Sequence, residues 1–289
     1  MPTREAKDAA VVPGVSPQVY SQTDFERIAR LVHGKAGIVL SKSKKMLAYS
    51  RLAPLLRKHR CATFAEYLEL VDAEPDLAAK TIAALTTNHT YFNREPHHFE
   101  HFDAVVREDL LAKARRGEKV RIWSAGSSSG EEIWTLMMVL LGADRTAGKS
   151  LLQHDIIALA SDLAPHAIEA GAGGRYDTKA LEAVPEALRR TWCRQSGKQT
   201  EIGEELRALV RFRQLNLLGD WPVRTKFDVI FCRNVMIYFD HPTKERLVSR
   251  LVDQLQPRGY LYIGHSERVS GDASAMVEPV GPTIYRRRV

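Results

Sequence analysis

The segment 227–240 constrains the fold of this chain more than any other stretch. It begins with a mostly apolar run, 227–231, which predicts a strand buried inside a parallel sheet. Four polar side chains follow closely: Arg233, Asn234, Tyr238 and Asp240. In an open α/β sheet, ligands bind outside the carboxyl ends of the strands. The segment therefore predicts a strand that ends at a binding site, with an ordinary polar loop as the alternative.

Apolar runs and helical segments alternate over the later part of the chain. Besides 227–231, strands are predicted at 120–123, 156–160, 210–212, 260–263 and 283–285. Strands that alternate with helices indicate an α/β fold with a doubly wound, mostly parallel sheet. The pattern is less regular between residues 171 and 210, where 192–202 favours short antiparallel strands. We therefore expect a small inserted antiparallel β subdomain near residues 190–212.

The first part of the chain shows helical spacing instead. Ser21 to Asp24 can cap a helix whose apolar face is formed by Phe25, Ile28, Leu31 and Val32. Further helices are predicted at about 42–59, 63–71 and 76–85, and together they favour a small bundle. We expect a mobile tail at 1–20, an all-helical N-terminal domain with its linker at 21–95, and the α/β domain at 96–289.

The composition favours a partner with negative charge. The chain has 289 residues and a formal net charge of +7, so nucleic acid and an acidic protein surface are both candidates. Positive residues cluster at 42–45, 51–60 and 286–288, although such clusters most often form a solvated face. No apolar run approaches the roughly 20 residues of a membrane span, and the N-terminus lacks the apolar core of a secretory signal. We expect a cytoplasmic protein with no stable membrane insertion.

No metal site is expected from the cysteines and histidines. Cys61, Cys193 and Cys232 lie far apart and are odd in number, which matches neither a disulfide framework nor a zinc site. The group His97, His98 and His101 lies on one predicted helix, but no carboxylate or cysteine pattern completes a set of ligands. We expect these histidines to cap or pack.

The turn after the predicted strand 120–123 indicates the class of ligand. Residues 124–130 are all Ser, Ala or Gly, which lets a ligand approach the backbone at a helix N-terminus. Asp162 ends the next strand, where a carboxylate suits ribose hydroxyls. The full glycine pattern of dinucleotide sites is absent, and Glu131 and Glu132 would repel a pyrophosphate. They suit a cationic ligand such as S-adenosylmethionine, although helix capping is an alternative explanation.

Several motifs run through the chain in a fixed order. They are Thr86-Thr87-Asn88-His89-Thr90 with Arg94-Glu95 and His97-His98-Phe99, the turn from Ser124 to Glu132, Ala160-Ser161-Asp162, Asn216-Leu217-Leu218, and 231–240 with Gly264-His265-Ser266-Glu267. With these motifs the chain resembles the CheR family, the chemoreceptor glutamate methyltransferases of bacterial chemotaxis. The resemblance extends from about residue 24 to 285, and it implies a class I S-adenosylmethionine-dependent methyltransferase fold with a helical domain in front.

The resemblance also implies a set of site residues. Asn88, Thr90 and Arg94 would contact the methionine end of S-adenosylmethionine, with Glu132 nearby, and Asp162 would hold the ribose. The rest of the pocket would be formed by Asn216 and Leu217 beside the adenine, and by Arg233 and Asn234. Arg94 and Tyr238 would act at the reacting methyl group. The alternatives are a structural ion pair of Arg94 with Glu95, and a packed Tyr238 ring with its hydroxyl at the surface.

The implied reaction is methyl transfer to the γ-carboxylate of receptor glutamates, giving methyl esters and S-adenosylhomocysteine for sensory adaptation. The partner would be the helical cytoplasmic region of chemoreceptors. Acidic surfaces of these receptor helices would bind the basic residues Lys42, Lys44, Lys45, Arg51 and Arg57. We expect a monomer that does not bind nucleic acid. The alternatives are a nucleic-acid methyltransferase on the same scaffold, and a module that binds the cofactor only as a sensor or scaffold.

Overall fold

The computed structural model of this chain describes residues 12, 14–86 and 89–289. These residues form two compact units. One contains the described residues up to 86 together with Tyr238–Asp240, and the other contains 89–237 and 241–289. The segment 89–95, which we expected to belong with the helical domain, groups with the second unit. No helix in the described ranges is long and apolar enough to cross a membrane.

The first unit contains four helices. They are α1 (Gln22–Ala36), α2 (Lys45–Lys58), α3 (Phe64–Ala73) and α4 (Pro75–Leu85). The Ser21 hydroxyl accepts a hydrogen bond from the Asp24 amide while Asp24 accepts from the Ser21 amide, so a capping box starts α1. The apolar faces of the helices meet in a buried core; its largest members include Phe25, Ile28, Leu52, Phe64 and Tyr67.

Two segments outside these helices also belong to the first unit. Tyr20 falls in the predicted mobile tail, yet it is buried with its ring 4.5 Å from that of Phe64. An aromatic residue directly before the helix cap gains more from this packing than from solvent. The Tyr238–Asp240 segment joins through an antiparallel bridge between Phe239 and Ile38. The rest of the predicted tail lies largely outside the described residues.

The second unit is built on a mixed, mostly parallel sheet of seven strands. Its strands are β1 (Val120–Ala125), β2 (Ile156–Asp162), β6 (Val210–Gln214), β7 (Phe227–Cys232), β8 (Leu255–Ile263), β9 (Val277–Gly281) and β10 (Ile284–Arg287). The order across the sheet is β6-β2-β1-β7-β8-β10-β9. The first five in this order are parallel, and β10 pairs antiparallel with both neighbours. The expected α/β fold is confirmed.

Helices cover the sheet and bury its apolar strands. They are α5 (Pro96–His101), α6 (Arg107–Arg115), α7 (Glu131–Leu141), α8 (Arg145–Ser150), α9 (Pro165–Gly173), α10 (Glu186–Trp192), α11 (Glu204–Leu209), α12 (His241–Gln254) and α13 (Ala273–Met276). A π-helical turn, Phe102–Val106, joins α5 to α6. Every residue of β7 is buried, as the apolar run 227–231 predicted.

A separate small sheet is inserted between β2 and β6. It is antiparallel, with β3 (Arg175–Asp177) and β4 (Cys193–Ser196) on either side of β5 (Gln199–Ile202). The predicted subdomain was placed near 190–212, but Val210–Gln214 pairs with β2 in the main sheet instead. The small sheet begins earlier, at Arg175. The sequence does not reveal this first strand, because β3 is too short to show an apolar alternation.

Candidate functional site

The small-residue turn between β1 and α7 has an unusual backbone. Gly126 and Gly130 have φ angles of 82° and 94°, and Ser128 also has a positive φ of 48°. A Cβ on Gly126 would lie 2.3 Å from Val235 Cγ2, so only glycine fits there. The Ser127 hydroxyl is buried and has no hydrogen-bond partner in the described part of the chain. This turn therefore offers a polar atom to a bound molecule.

Asp162 is held at the carboxyl end of β2 by backbone amides. Its two carboxylate oxygens accept hydrogen bonds of 2.9 Å from the amides of Ser128 and Ala164. Burial raises the pKa of Asp162, and the two amide bonds oppose that change. The carboxylate is thus fixed directly beside the turn, at the end of the strand where the sequence placed it; its contact with a ribose stays a prediction.

A buried guanidinium joins three elements of the second unit. Arg233 follows β7, its side chain is 2 % exposed, and its Nη1 donates to Glu132 Oε2 over 3.2 Å. Its Nη2 lies 3.3 Å from Glu95 Oε2 and donates to the carbonyl of Arg94. Burial raises the pKa of Glu132, although Arg233 and the Ser124 hydroxyl, at 2.6 Å, favour its ionised form. Two carboxylates therefore share one cation, which leaves a negative balance when both are ionised.

Glu95 makes the largest number of polar contacts in this group. It lies just before α5 with a φ of 57°. Its Oε1 forms hydrogen bonds with His265 Nδ1 at 2.9 Å and with Asn234 Nδ2 at 3.4 Å. Burial alone would raise the pKa of Glu95, but Arg233 and His265 hold it at about 2. Glu95 is therefore ionised under ordinary conditions and links the ends of β7 and β8.

His98 lies on the other side of Glu95. Its Nδ1 is 3.4 Å from Glu95 Oε2, and its Nε2 is 2.9 Å from the hydroxyl of Thr283. Burial and the nearby Arg233 lower the pKa of His98 to about 3, so the ring is neutral at pH 7 and the contact is not an ion pair. His98 is consequently a packed ring with a polar contact, as the sequence indicated.

Glu267 fixes the loop that follows β7. Its carboxylate accepts hydrogen bonds from the amides of Asn234 (3.1 Å), Met236 (2.8 Å) and Gly264 (2.6 Å). Burial raises the pKa of Glu267 and these amide bonds oppose the rise. Asn234 has a positive φ of 58°, a conformation that costs free energy unless the surroundings enforce it. Glu267 supplies that constraint.

Arg94 is not engaged in the ion pair that was weighed as an alternative. Its Nη1 donates to the carbonyl of His89 over 2.9 Å, and its guanidinium lies 5.6 Å from the centre of the Tyr91 ring. Glu95 instead pairs with Arg233 and His265. Within residues 89–289, no carboxylate is placed against Arg94 at ion-pair distance. Its charge remains available to an anionic group.

The remaining predicted pocket residues do not join the bonded group around Arg233 and Glu95. Asn216 caps its own turn by accepting from the Leu218 amide at 3.0 Å, and Leu217 is buried beside it. Thr90 is partly exposed, and Asn88 lies outside the described residues. Tyr238 lies in a 3-10 turn of the first unit, where its carbonyl accepts from the Val39 amide. The roles assigned to these residues stay predictions.

The basic residues predicted to meet a partner fall into two groups. Lys42, Lys44 and Arg57 are exposed. Lys45 is buried, with its amine near Gln22 and over the Tyr20 ring. Arg51 donates to the carbonyls of Leu85 and Thr86 at the end of α4. The second group therefore also contributes to the structure of the helical unit.

The sequence analysis assigns no role to Glu267, and it considers Glu95 only as an alternative ion-pair partner of Arg94. Both belong to motifs of the family resemblance, but the partners of Glu95 are 138 to 170 residues away. A signal was present for Glu267, because the segment 264–267 follows the strand adjacent to β7, and carboxyl ends of neighbouring parallel strands lie together. For Glu95, the following Pro96 marked a helix start, which explains its position but not its partners.

Comparison with known proteins gives matches over nearly the whole chain. Residues 23–86 match the model of the CheR methyltransferase all-alpha domain, and residues 88–285 match that of the CheR methyltransferase SAM binding domain. The chain is 40% identical over 262 residues to the probable chemotaxis protein methyltransferase of Rhizobium etli, covering 89% of this chain and 96% of the relative. It is 40% identical over 271 residues to chemotaxis protein methyltransferase 2 of Pseudomonas aeruginosa, covering 92% and 93%. The chain therefore belongs to the CheR family of chemotaxis methyltransferases, and its cofactor is S-adenosylmethionine.

Proposed function

We propose that this protein transfers a methyl group to the γ-carboxylate of glutamates in the cytoplasmic helices of chemoreceptors, giving methyl esters for sensory adaptation. Family membership supports the reaction class. The observation that carries the proposal to a carboxylate acceptor is the state of Arg94, a cation without a carboxylate partner among residues 89–289, beside a cluster in which Glu95 and Glu132 are already bonded to Arg233. An acceptor carboxylate would supply the missing partner.

The residues of the site fit the proposed cofactor. When bound, S-adenosylmethionine supplies a methyl group on a positively charged sulfur, whose transfer to a carboxylate leaves both groups neutral. Asp162 would accept from the ribose hydroxyls, and the orphaned Ser127 hydroxyl would bond a polar group at the turn. Glu132 and Glu95, sharing Arg233, leave a negative balance that suits a cation. Asn216 and Leu217 would flank the adenine.

The acceptor needs no general base. A glutamate with a pKa of about 4.3 is already ionised at pH 7. Positioning and removal of water therefore account for the catalysis, since a reaction that neutralises two charges is favoured where water is excluded. Arg94 would orient the carboxylate through a charge-assisted bond, and the Tyr238 hydroxyl would add a hydrogen bond. Too tight a bond would lower the nucleophilicity of the oxygen, so both act mainly by placement.

The receptor would bind through the exposed basic residues of the helical unit. Lys42, Lys44 and Arg57 are free of the structural contacts that hold Lys45 and Arg51. Acidic receptor helices would be attracted to these positive charges, and that attraction would weaken as salt rises. Lys44→Glu should raise the KM for the receptor several-fold with kcat retained. Lys198→Glu, an exposed change in the turn between β4 and β5, is the control and should have little effect.

The test of the reaction is transfer of labelled methyl from S-adenosylmethionine to chemoreceptor cytoplasmic fragments, followed by mild alkali. Label released as methanol supports carboxylate esterification, whereas alkali-stable label indicates nitrogen methylation and refutes the proposal. If the protein binds the cofactor but no label appears on any of several receptors, the alternative of a sensor that only binds the cofactor is favoured.

Two variants test the site itself. Asp162→Ala should abolish cofactor binding, whereas Arg94→Ala should reduce turnover. Asp109→Ala is the control, because Asp109 is exposed on α6 and forms no ion pair with the described residues. Unchanged methyl transfer in both site variants would overturn the assignment of these residues.

A further inference from the structure

A cleft of about 460 Å³ lies at the end of the main sheet away from the cofactor site. It is lined by Arg258, Glu278, Arg286, Arg287, Arg288 and Val289. Arg258 precedes Ile263, the carboxyl end of β8, by five residues, which corresponds to about 16 Å of strand. The cleft is therefore separate from the group formed by Asp162, Arg233 and Glu132 at the carboxyl ends of the parallel strands.

Backbone carbonyls hold two of the four arginines in place. Arg287 Nη1 donates to the carbonyls of Asp253 and Leu255, at 3.0 Å and 2.5 Å, where α12 ends and β8 begins. Arg288 Nε donates to the carbonyl of Val277 over 3.2 Å. These bonds use one or two donors of each guanidinium, and each guanidinium has five. The other donors can bind a ligand without any rearrangement of the strands.

The third arginine of the cleft is incompletely bonded. Arg286 lies across from Tyr260 on the neighbouring strand, with its guanidinium 5.7 Å from the centre of the Tyr260 ring. Its Nε is buried and has no hydrogen-bond partner in the described part of the chain. A buried donor left unpaired costs free energy, and an anion in the cleft would remove that cost.

The charges of the cleft are unbalanced. Four guanidinium groups, one side-chain carboxylate, that of Glu278, and Val289 line it. None of the four arginines forms an ion pair with an acidic side chain of the described residues. Arg258 also has a positive φ of 64°, a conformation that non-glycine residues adopt at a cost. The side chains that line the cleft therefore carry an excess of positive charge, which a bound anion would match.

We propose that this cleft binds a small polyanion with two or more phosphate groups, either inorganic or part of a nucleotide. The planar guanidinium pairs with phosphate oxygens through two parallel bonds, and one phosphate would not occupy four of them. The volume falls within the range of about 300–1,000 Å³ found for small-molecule sites. An acidic helix spaces its carboxylates about 5–6 Å apart along a surface, which suits a flat patch better than a confined cleft.

Titration calorimetry on the full chain with pyrophosphate and with ATP, at constant ionic strength, tests the proposal. Saturable binding of either is expected, and Arg258→Gln and Arg288→Gln should each weaken it about tenfold. Arg194→Gln, whose side chain is 84% exposed in the small sheet, removes the same charge and should leave it unchanged. Equal affinity for both probes indicates that phosphates alone are recognised, and tighter ATP binding indicates a nucleotide.

S-adenosylmethionine affinity measured on the same samples reports whether each variant is folded. If a glutamine variant loses it, Arg288→Lys keeps the charge but not the guanidinium, and it should weaken polyanion binding less than the loss of the charge does. The proposal is overturned if neither probe binds saturably at millimolar concentration, or if Arg194→Gln weakens binding as much as the cleft variants do. It is also overturned if a short polyglutamate peptide binds the cleft more tightly than both phosphate probes, which would identify an acidic protein segment as the ligand.

Discussion

Replacement of Glu95 by glutamine tests the buried charge cluster directly. The variant keeps the shape of the side chain but removes the charge that faces Arg233 and His265. The pKa of Glu95 is about 2 in the folded protein, against an ordinary value of 4.5. Each tenfold difference in proton affinity corresponds to about 1.4 kcal/mol. The ionised carboxylate therefore stabilises the folded second unit by about 3 kcal/mol at pH 7, and Glu95→Gln should lower its free energy of unfolding by about 2–3 kcal/mol.

The pH dependence follows from the direction of the change. Because the folded pKa lies below the unfolded one, this stabilisation is fully present above pH 4.5 and is lost as the pH falls towards 2. The difference between the wild type and Glu95→Gln should thus shrink by about 1.4 kcal/mol between pH 7 and pH 3.5, to about 1 kcal/mol. Urea unfolding followed by tryptophan fluorescence is the assay, because Trp123, Trp134, Trp192 and Trp221 all belong to the second unit.

Glu100→Gln is the matched control for this measurement. Glu100 lies on the same helix, α5, and is exposed, with no ion pair to any residue that the structure describes, so its replacement should change the free energy of unfolding by less than about 0.5 kcal/mol. The reasoning is refuted if Glu95→Gln behaves like this control at pH 7. It is also refuted if the loss in Glu95→Gln is the same at pH 3.5 as at pH 7.

Three further changes have defined expectations. Gly126→Ala should weaken S-adenosylmethionine binding at least tenfold, because its Cβ would meet Val235, while Gly173→Ala, in open space, should not; calorimetry distinguishes them. Glu267→Ala should lower the free energy of unfolding by about 3 kcal/mol in urea, because three backbone amides lose their acceptor, and a loss below about 1 kcal/mol would contradict this. Arg51→Ala should destabilise the helical unit by about 1–2 kcal/mol through its carbonyl bonds, measured by circular dichroism, whereas the exposed Arg57→Ala should have little effect.

The parts of the fold predicted correctly are those that depend on local pattern. The apolar run 227–231 is a fully buried strand, and Arg233 and Asn234 directly follow the carboxyl end of that strand, as the sequence predicted, whereas Tyr238 and Asp240 group with the first unit. The sequence analysis does not predict β9, because Pro279 and Gly281 are residues that strands usually lack. Proline cannot donate to a strand ladder and is tolerated only towards an edge. β9 is indeed the edge strand of the sheet.

The sequence predicted where the site residues lie in the fold better than it predicted which residues they contact. Asp162 at the end of β2 follows from the strand pattern, and its amide partners follow from the turn. Arg233 was expected to complete a pocket, but its ion pairs with Glu95 and Glu132 connect residues 138 and 101 positions apart. No periodicity encodes such a pairing, because it depends on how three elements pack together. The same reason explains why Arg94 and Glu95, adjacent in sequence, do not pair.

The positions of the partners of Glu95 in the sequence also limit how early the second unit can fold while the chain is being synthesised. A chain emerging from the ribosome exposes Glu95 early, yet Arg233 follows 138 residues later and His265 follows 170 residues later. Until those residues have been synthesised, the carboxylate has only local neighbours and the loop held by Glu267 cannot close. Contacts of such long separation also form late during refolding, since the chain must first lose the entropy of closing the intervening loop. The helical unit can begin to form earlier, from contacts among 14–86, whereas a chain competent to bind the cofactor exists only when synthesis is nearly complete.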